Sequence, residues 1–236
     1  MIETNIRALR AIAAVAALGC AVPAWADDAI PNNSFRLGSE TVFYHTKADP
    51  LAGPYVPAGS NYNLKAENLE TLYVGYIRRL PANLAIEVAM GYPPLSKVKG
   101  EGSATVGSVP YAGQVISSAR WLSPTAFVEY NFLSEDSPLR PFIGVGVNYT
   151  QFYARRSTAA GNAASGGPTK LSLTSSVGPA GTVGVDWHVG GHWHMYGSYS
   201  ISRVNTHLEA NTAGIIRTTN IKFGPQVLVI SGGYSF

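Results

Sequence analysis

The stretch RPFIGVGVNYTQFY, residues 140–153, decides how this chain folds. Read by twos, Ile143, Val145, Val147 and Tyr149 fall on one face, and Gly144, Gly146, Asn148 and Thr150 on the other. Successive side chains of a strand point to opposite faces, so this is strand periodicity. In a soluble barrel the bulky apolar face would point inward. Here that face is unbroken, while its partner is small or polar. A narrow barrel interior admits small residues, and lipid takes the bulky apolar ones. The bulky face is therefore predicted to lie against lipid.

Seven more segments follow the same pattern: SFRLGSETVFY (34–44), ETLYVGYI (70–77), NLAIEVAMGY (83–92), PTAFVEYNF (124–132), VGPAGTVGVDW (177–187), HWHMYGSYSIS (192–202) and VLVISGGYSF (227–236). In the last, Leu228, Ile230, Tyr234 and Phe236 share one face, opposite Val227, Val229, Ser231, Gly233 and Ser235. The connections alternate in length. RRLPA, LSEDSPL and HVGGH are short turns, whereas TKADPLAGPYVPAGSNYNLKA and RRSTAAGNAASGGPTKLSL are long. Short turns at one end, long loops at the other and an even strand count predict an all-β fold, an eight-stranded antiparallel up-and-down transmembrane β-barrel.

The front of the chain agrees with export. Two arginines in MIETNIRALR precede the uncharged AIAAVAALGCAV, and Ala24 and Ala26 in PAWADD frame a cleavage site. This predicts a signal peptide over residues 1–26, with the barrel occupying 27–236. ALGC also resembles a lipoprotein box around Cys20, but Ala17 stands where that box takes leucine. Cleavage after Ala26 would discard Cys20, the single cysteine, and leave no disulfide. Only 13% of residues are charged, about half the usual share of a soluble domain, and no basic tract is present. Nucleic acid is excluded as a partner on that balance.

At LRPFIGVGVNYTQFY, VGPAGTVGVDW and ISGGYSF, the sequence resembles the outer-membrane protein W (OmpW) family, and NLAIEVAMGYP and PTAFVEYNF fit the same pattern. The resemblance implies a bacterial outer-membrane barrel that admits small hydrophobic molecules, in a family with an alkane-import branch. The departures from the family lie in the loops, which meet the cargo first. The final strand, with Tyr234 and Phe236, also resembles the C-terminal signal by which the barrel-assembly machinery recognises outer-membrane proteins.

Several residues carry expectations about the site. Arg36, Glu87, Glu129, Arg140 and Asp186 lie on the inward face toward the periplasmic end, where a narrow lumen would desolvate them and favour ion pairing. They are predicted to form a charged luminal floor, with Arg36 and Arg140 balancing the three carboxylates. Proline cannot donate to a ladder, so Pro93, Pro94 and Pro124 mark a candidate lateral gate between the third and fourth strands. Val42, Tyr44, Tyr73 and Phe127 are candidate channel-lining residues. His188, His192 and His194 beside Asp186 have spacings a metal could use, but as a turn flanked by Trp187 and Trp193 they fit a membrane interface better. No catalytic, cofactor or metal site is expected, since neither G-x-S-x-G, H-E-x-x-H nor a phosphate loop occurs.

The function these readings support is passive conduction of small hydrophobic solutes, with outer-membrane lipid as the surroundings. The alternative is a structural or surface-interaction barrel, of the adhesin or the phage- or colicin-receptor type, that conducts nothing. A polar pore is disfavoured because eight strands enclose little water.

Overall fold

The computed structural model describes residues 31–56, 62–106, 108–134 and 137–236. The expected signal peptide, its cleavage site and Cys20 lie outside the described residues. Eight strands close on themselves: β1 (Asn33–Tyr44), β4 (Leu69–Leu80), β5 (Leu84–Gly91), β10 (Thr125–Asn131), β11 (Leu139–Ser157), β13 (Ser176–Gly190), β14 (Trp193–Ser202) and β17 (Pro225–Ser235). Every neighbouring pair is antiparallel, in the order β1-β4-β5-β10-β11-β13-β14-β17. Closure is made by β1 and β17, in register from Ser34↔Ser235 to Tyr44↔Pro225. A closed barrel leaves no unpaired edge to face lipid, which offers backbone groups no hydrogen bonds.

The two faces divide as the alternation requires. Val145, Val177 and Ile230 on the outer face are 70%, 71% and 63% exposed, a degree that only a lipid surround makes favourable. The inner face buries Arg36, Tyr73, Ile77, Glu87, Phe127, Phe142 and Tyr196. Its glycines make room for large inward side chains. A Cβ at Gly184 would lie 2.5 Å from the Phe142 ring, and one at Gly233 would lie 2.6 Å from the Tyr196 ring. Any larger residue at either position would displace the facing ring.

At the periplasmic end the strands are joined by tight turns. Ala82 and Asn83 reverse the chain between β4 and β5 with φ of 62° and 60°. Gly190 and Gly191 do the same between β13 and β14, with φ of 134° and 56°, values that L side chains rarely adopt. One expectation needs correcting here. RRLPA is not a turn, because β4 continues through Leu80 and carries Arg78 and Arg79 into the barrel wall.

At the other end the long connections are ordered as sheet. β11 runs on past the barrel and pairs with β9 (Val115–Leu122), which pairs with β6 (Leu95–Glu101), and β6 with β3 (Asn63–Ala66). A second sheet is formed by β12 (Thr169–Leu173), β15 (Asn205–Thr212), β16 (Ile215–Lys222) and β2 (Lys47–Ala48). The pair β7 (Thr105–Val106) and β8 (Val109–Pro110) forms a small ribbon. The tract AAGNAAS forms a short helix, α1 (Ala159–Ser165), capped by the Thr158 side chain on the Gly161 amide and by Gly166 in the left-handed conformation. An apolar cluster of Val42, Ala66, Trp121, Phe152, Val204, Ile221 and Phe223 joins the barrel rim to these sheets. Residues 32–236 form one compact unit.

Candidate functional site

The lower lumen is a connected set of buried polar side chains to which every barrel strand contributes. Arg36 on β1 pairs with Glu87 on β5 at 3.0 Å, both side chains almost fully buried. The Tyr73 hydroxyl on β4 donates to the same carboxylate. Above the opposite side of the guanidinium lies the Tyr196 ring, its centroid 3.4 Å from the Arg36 Cζ. A cation against an aromatic face is held electrostatically, and more strongly once water is excluded. Glu129 on β10 is fully buried against Glu87. Arg140 on β11 is buried in register with Asp186 on β13.

Asp186 pairs with Arg79, at 3.2 Å. The expectation that Arg36 and Arg140 alone offset three carboxylates is corrected accordingly: Arg79 is buried among them and makes the numbers equal. Its inward position was legible, since Tyr73, Gly75, Ile77 and Arg79 continue one face by twos. It was missed because a double arginine before Leu-Pro resembles a solvated turn.

Asp186 also accepts from the ring of His194, with Nδ1 2.9 Å from Oδ1, and the other ring nitrogen lies 2.8 Å from the Ser235 Oγ. Arg79 reaches Ser235 as well, at 3.3 Å. Serine, histidine and aspartate thus stand in the order of a hydrolytic triad. Geometry withholds the rest of such a site. Ser235 has no exposed surface, and its amide donates to the His192 carbonyl while the next amide, of Phe236, donates to Asn33. Neither amide is left to stabilise an oxyanion. His188 stacks on His194 with ring centroids 5.0 Å apart, and His192 bonds the Ser235 carbonyl. Among the described residues no group of three or more such side chains is placed to hold a metal ion.

Above this layer the lumen opens into a cavity that runs up to the extracellular sheets. Val42, Tyr44, Tyr73 and Phe127 all line it, with Trp121, Phe152, Val227 and Val229. The ion-paired Glu87 of the floor borders it, and its upper wall reaches Leu171, Leu173 and Leu208 on the extracellular sheets. Apolar side chains supply most of the cavity's wall, interspersed with Ser96, Ser123, Asn148, Thr150 and Arg155.

Pro93, Pro94 and Pro124 meet at one place in the wall. The β5–β10 ladder ends at Ala89↔Thr125, and pairing between the two arms of this hairpin resumes only at Leu95↔Arg120. Residues 90–94 and 121–124 face each other there without a ladder. Tyr92 turns its amide the other way, to the Leu72 carbonyl on β4, and Pro124 gives its carbonyl to Tyr149 on β11. The Arg120 guanidinium reaches across to the Pro93 carbonyl at 2.8 Å. Met90, Gly91, Trp121 and Ser123 border the cavity, so it touches both sides of the break from within.

At the periplasmic rim Phe35 stacks on Phe236 with centroids 5.4 Å apart, and Trp193 meets Tyr234 edge-on at 5.0 Å. Amphipathic rings of this kind collect at the membrane interface.

A closed eight-stranded antiparallel barrel, apolar outside and ringed by aromatics, is an outer-membrane β-barrel. Comparisons with known proteins narrow this. Residues 80–236 match the OmpW family, and the chain belongs to it. It is 30% identical over 213 residues to outer membrane protein W of Vibrio cholerae, covering 85% of this chain and 94% of that one. It is 32% identical over 152 residues to the dibenzothiophene metabolism operon protein DoxH of a Pseudomonas species, covering 62% of this chain and 64% of that one. The fold is similar to the crystal structure of OprG from Pseudomonas aeruginosa, with a TM-score of 0.76 at 19% identity, covering 88% of this chain and 97% of that one. The protein is an outer-membrane protein, as its relatives are.

Proposed function

We propose that this barrel is a passive channel for small hydrophobic molecules, which enter from the extracellular sheets, stop at the charged floor and leave sideways into the membrane. The observation that carries the reading is the coincidence of one apolar cavity with the break in the β5–β10 ladder. Moving an apolar solute past Arg36, Glu87, Arg79 and Asp186 would strip buried charges of their partners, at a cost of several kcal/mol per charge. Crossing the wall between Pro93-Pro94 and Pro124 breaks no ladder bond. DoxH carries the name of a dibenzothiophene operon, and a cargo of that apolar aromatic kind suits walls of Trp121, Phe127 and Phe152.

Residues 1–26 act in this reading as a cleaved signal peptide, and Tyr234 and Phe236 as the strand presented to the barrel-assembly machinery. Ser235, His194 and Asp186 lock the periplasmic end rather than catalyse, because the serine is enclosed and lacks an oxyanion pocket.

Met90 and Pro124 stand one step above the last bonded pair of the β5–β10 ladder. A disulfide between Met90→Cys and Pro124→Cys is expected to close the gap. In proteoliposomes, octane uptake should fall on oxidation and recover on reduction, with sucrose uptake absent throughout. Unchanged octane uptake by a fully cross-linked, folded barrel would overturn lateral release.

A further inference from the structure

Glu40 is a carboxyl the floor does not use. It lies on the inward face of β1, only 6% exposed, and borders the cavity beside Val42, Tyr44 and Tyr73. It makes no hydrogen bond or ion pair with the described residues, and no charged side chain among them acts on it. The contrast with Glu87, only a short way below, is direct: that carboxylate is held by an arginine and a tyrosine.

The wall is shaped around this group. Glu40 reaches across β4 to the end of β5, where a Cβ at Gly91 would lie 1.9 Å from its Oε1 and 2.6 Å from its Cδ. Any larger residue there would push the carboxyl out of its present position. Gly91 is itself fixed: the Thr71 hydroxyl donates to the Tyr92 carbonyl at 2.8 Å, and the Tyr92 amide bonds Leu72 at 2.7 Å. The carboxyl thus occupies a niche against Gly91 at the lip of the broken ladder, bordering the same cavity as Val42, Trp121 and Phe127.

An isolated buried carboxylate is costly, and a cation brought to it recovers much of that cost. The aromatic rings of Tyr44 and Tyr73 line the same space, and their faces also favour a cation. We propose that Glu40 is a binding site for the ammonium group of an amphipathic monoamine, whose alkyl or aryl tail lies in the apolar cavity. This rests on reading the cavity as a cargo site. It adds a polar selectivity to that site: an amine is held where a hydrocarbon of equal length only passes.

The test uses the full barrel in lipid nanodiscs, titrated calorimetrically with octylamine and with 1-octanol, empty nanodiscs being subtracted. Octylamine is expected to bind about tenfold or more tightly than octanol, and Glu40→Gln to abolish that preference while leaving octanol within about twofold. Gly91→Ala, which fills the niche, should weaken octylamine in the same direction and decides the matter if Glu40→Gln does not assemble. Equal affinity for the two probes in the native barrel, or a preference that survives both substitutions, overturns the amine site alone. Failure of both probes to bind the native barrel overturns the cavity as a cargo site, and the amine site with it.

Discussion

The two halves of the lumen solve opposite problems with the same eight strands. Near the periplasm the interior is filled: arginines, carboxylates, His194 and two tyrosines interlock, and the strands are zipped to tight turns. Toward the outside the interior is left open, walled by valine and aromatic side chains, and one ladder is interrupted. A narrow barrel can be closed by side chains or can hold a small ligand, and here it does one at each end. The lower half resists passage because its buried charges are paired across strands, Arg36 with Glu87 and Arg79 with Asp186. The upper half invites it because its wall is mostly apolar and polar groups there such as Asn148, Thr150 and Arg155, unlike Glu40, are bonded to the wall itself.

The sharpest way to break this contrast is to unpair the floor. Arg36→Ala leaves Glu87 buried without its cation and removes the group beneath the Tyr196 ring. It is expected to cost about 3–5 kcal/mol of barrel stability, read from the guanidinium unfolding midpoint in lipid. Replacing both partners, as Arg36→Met with Glu87→Leu, should restore most of that loss, because two apolar side chains have no unmet charge. A double variant as unstable as the single one would show that the pair does more than compensate itself.

The upper half should respond to packing instead. Trp121 belongs to the apolar cluster at the rim, and its Nε1 donates to the Ser96 hydroxyl at 2.9 Å. Trp121→Ala is expected to cost about 3 kcal/mol, at the lower end for a buried tryptophan because its ring already borders the cavity. That loss should appear as faster amide exchange in β6 and β9, with β1 and β17 unaffected. Uniform acceleration around the barrel would mean the two halves are not energetically separate.

The smallest effect is predicted for an ion pair of the same chemistry outside the lumen. Lys99 and Glu67 approach to 2.6 Å on the extracellular sheet, but both side chains stay partly exposed to water. Lys99→Ala should change stability by less than about 1 kcal/mol, and 0.5 M salt should erase the difference. A loss comparable to Arg36→Ala would contradict the view that burial, not pairing, makes the floor strong.

Much of this architecture was open to reading by twos. Alternation in RPFIGVGVNYTQFY and its seven counterparts determined the strand count, the outward and inward faces and the membrane surround, because strand geometry assigns faces from local order alone. The same alternation placed Arg36, Glu87, Glu129, Arg140 and Asp186 inside. It also carried Glu40, Arg79, His194 and Ser235 inward, yet nothing local distinguished them from the other polar residues on that face. Which charge meets which is a different kind of fact. Partners in the floor are separated by up to 156 residues, as for Arg79 and Ser235, and their meeting depends on strand stagger around a closed barrel. The prolines announced where a ladder could fail, since the missing N–H belongs to the residue itself. Only the tertiary structure showed both arms of one hairpin failing at the same height, with a cavity behind them. It alone left Glu40 without a partner, because solitude in a lumen is a property of all the surrounding strands.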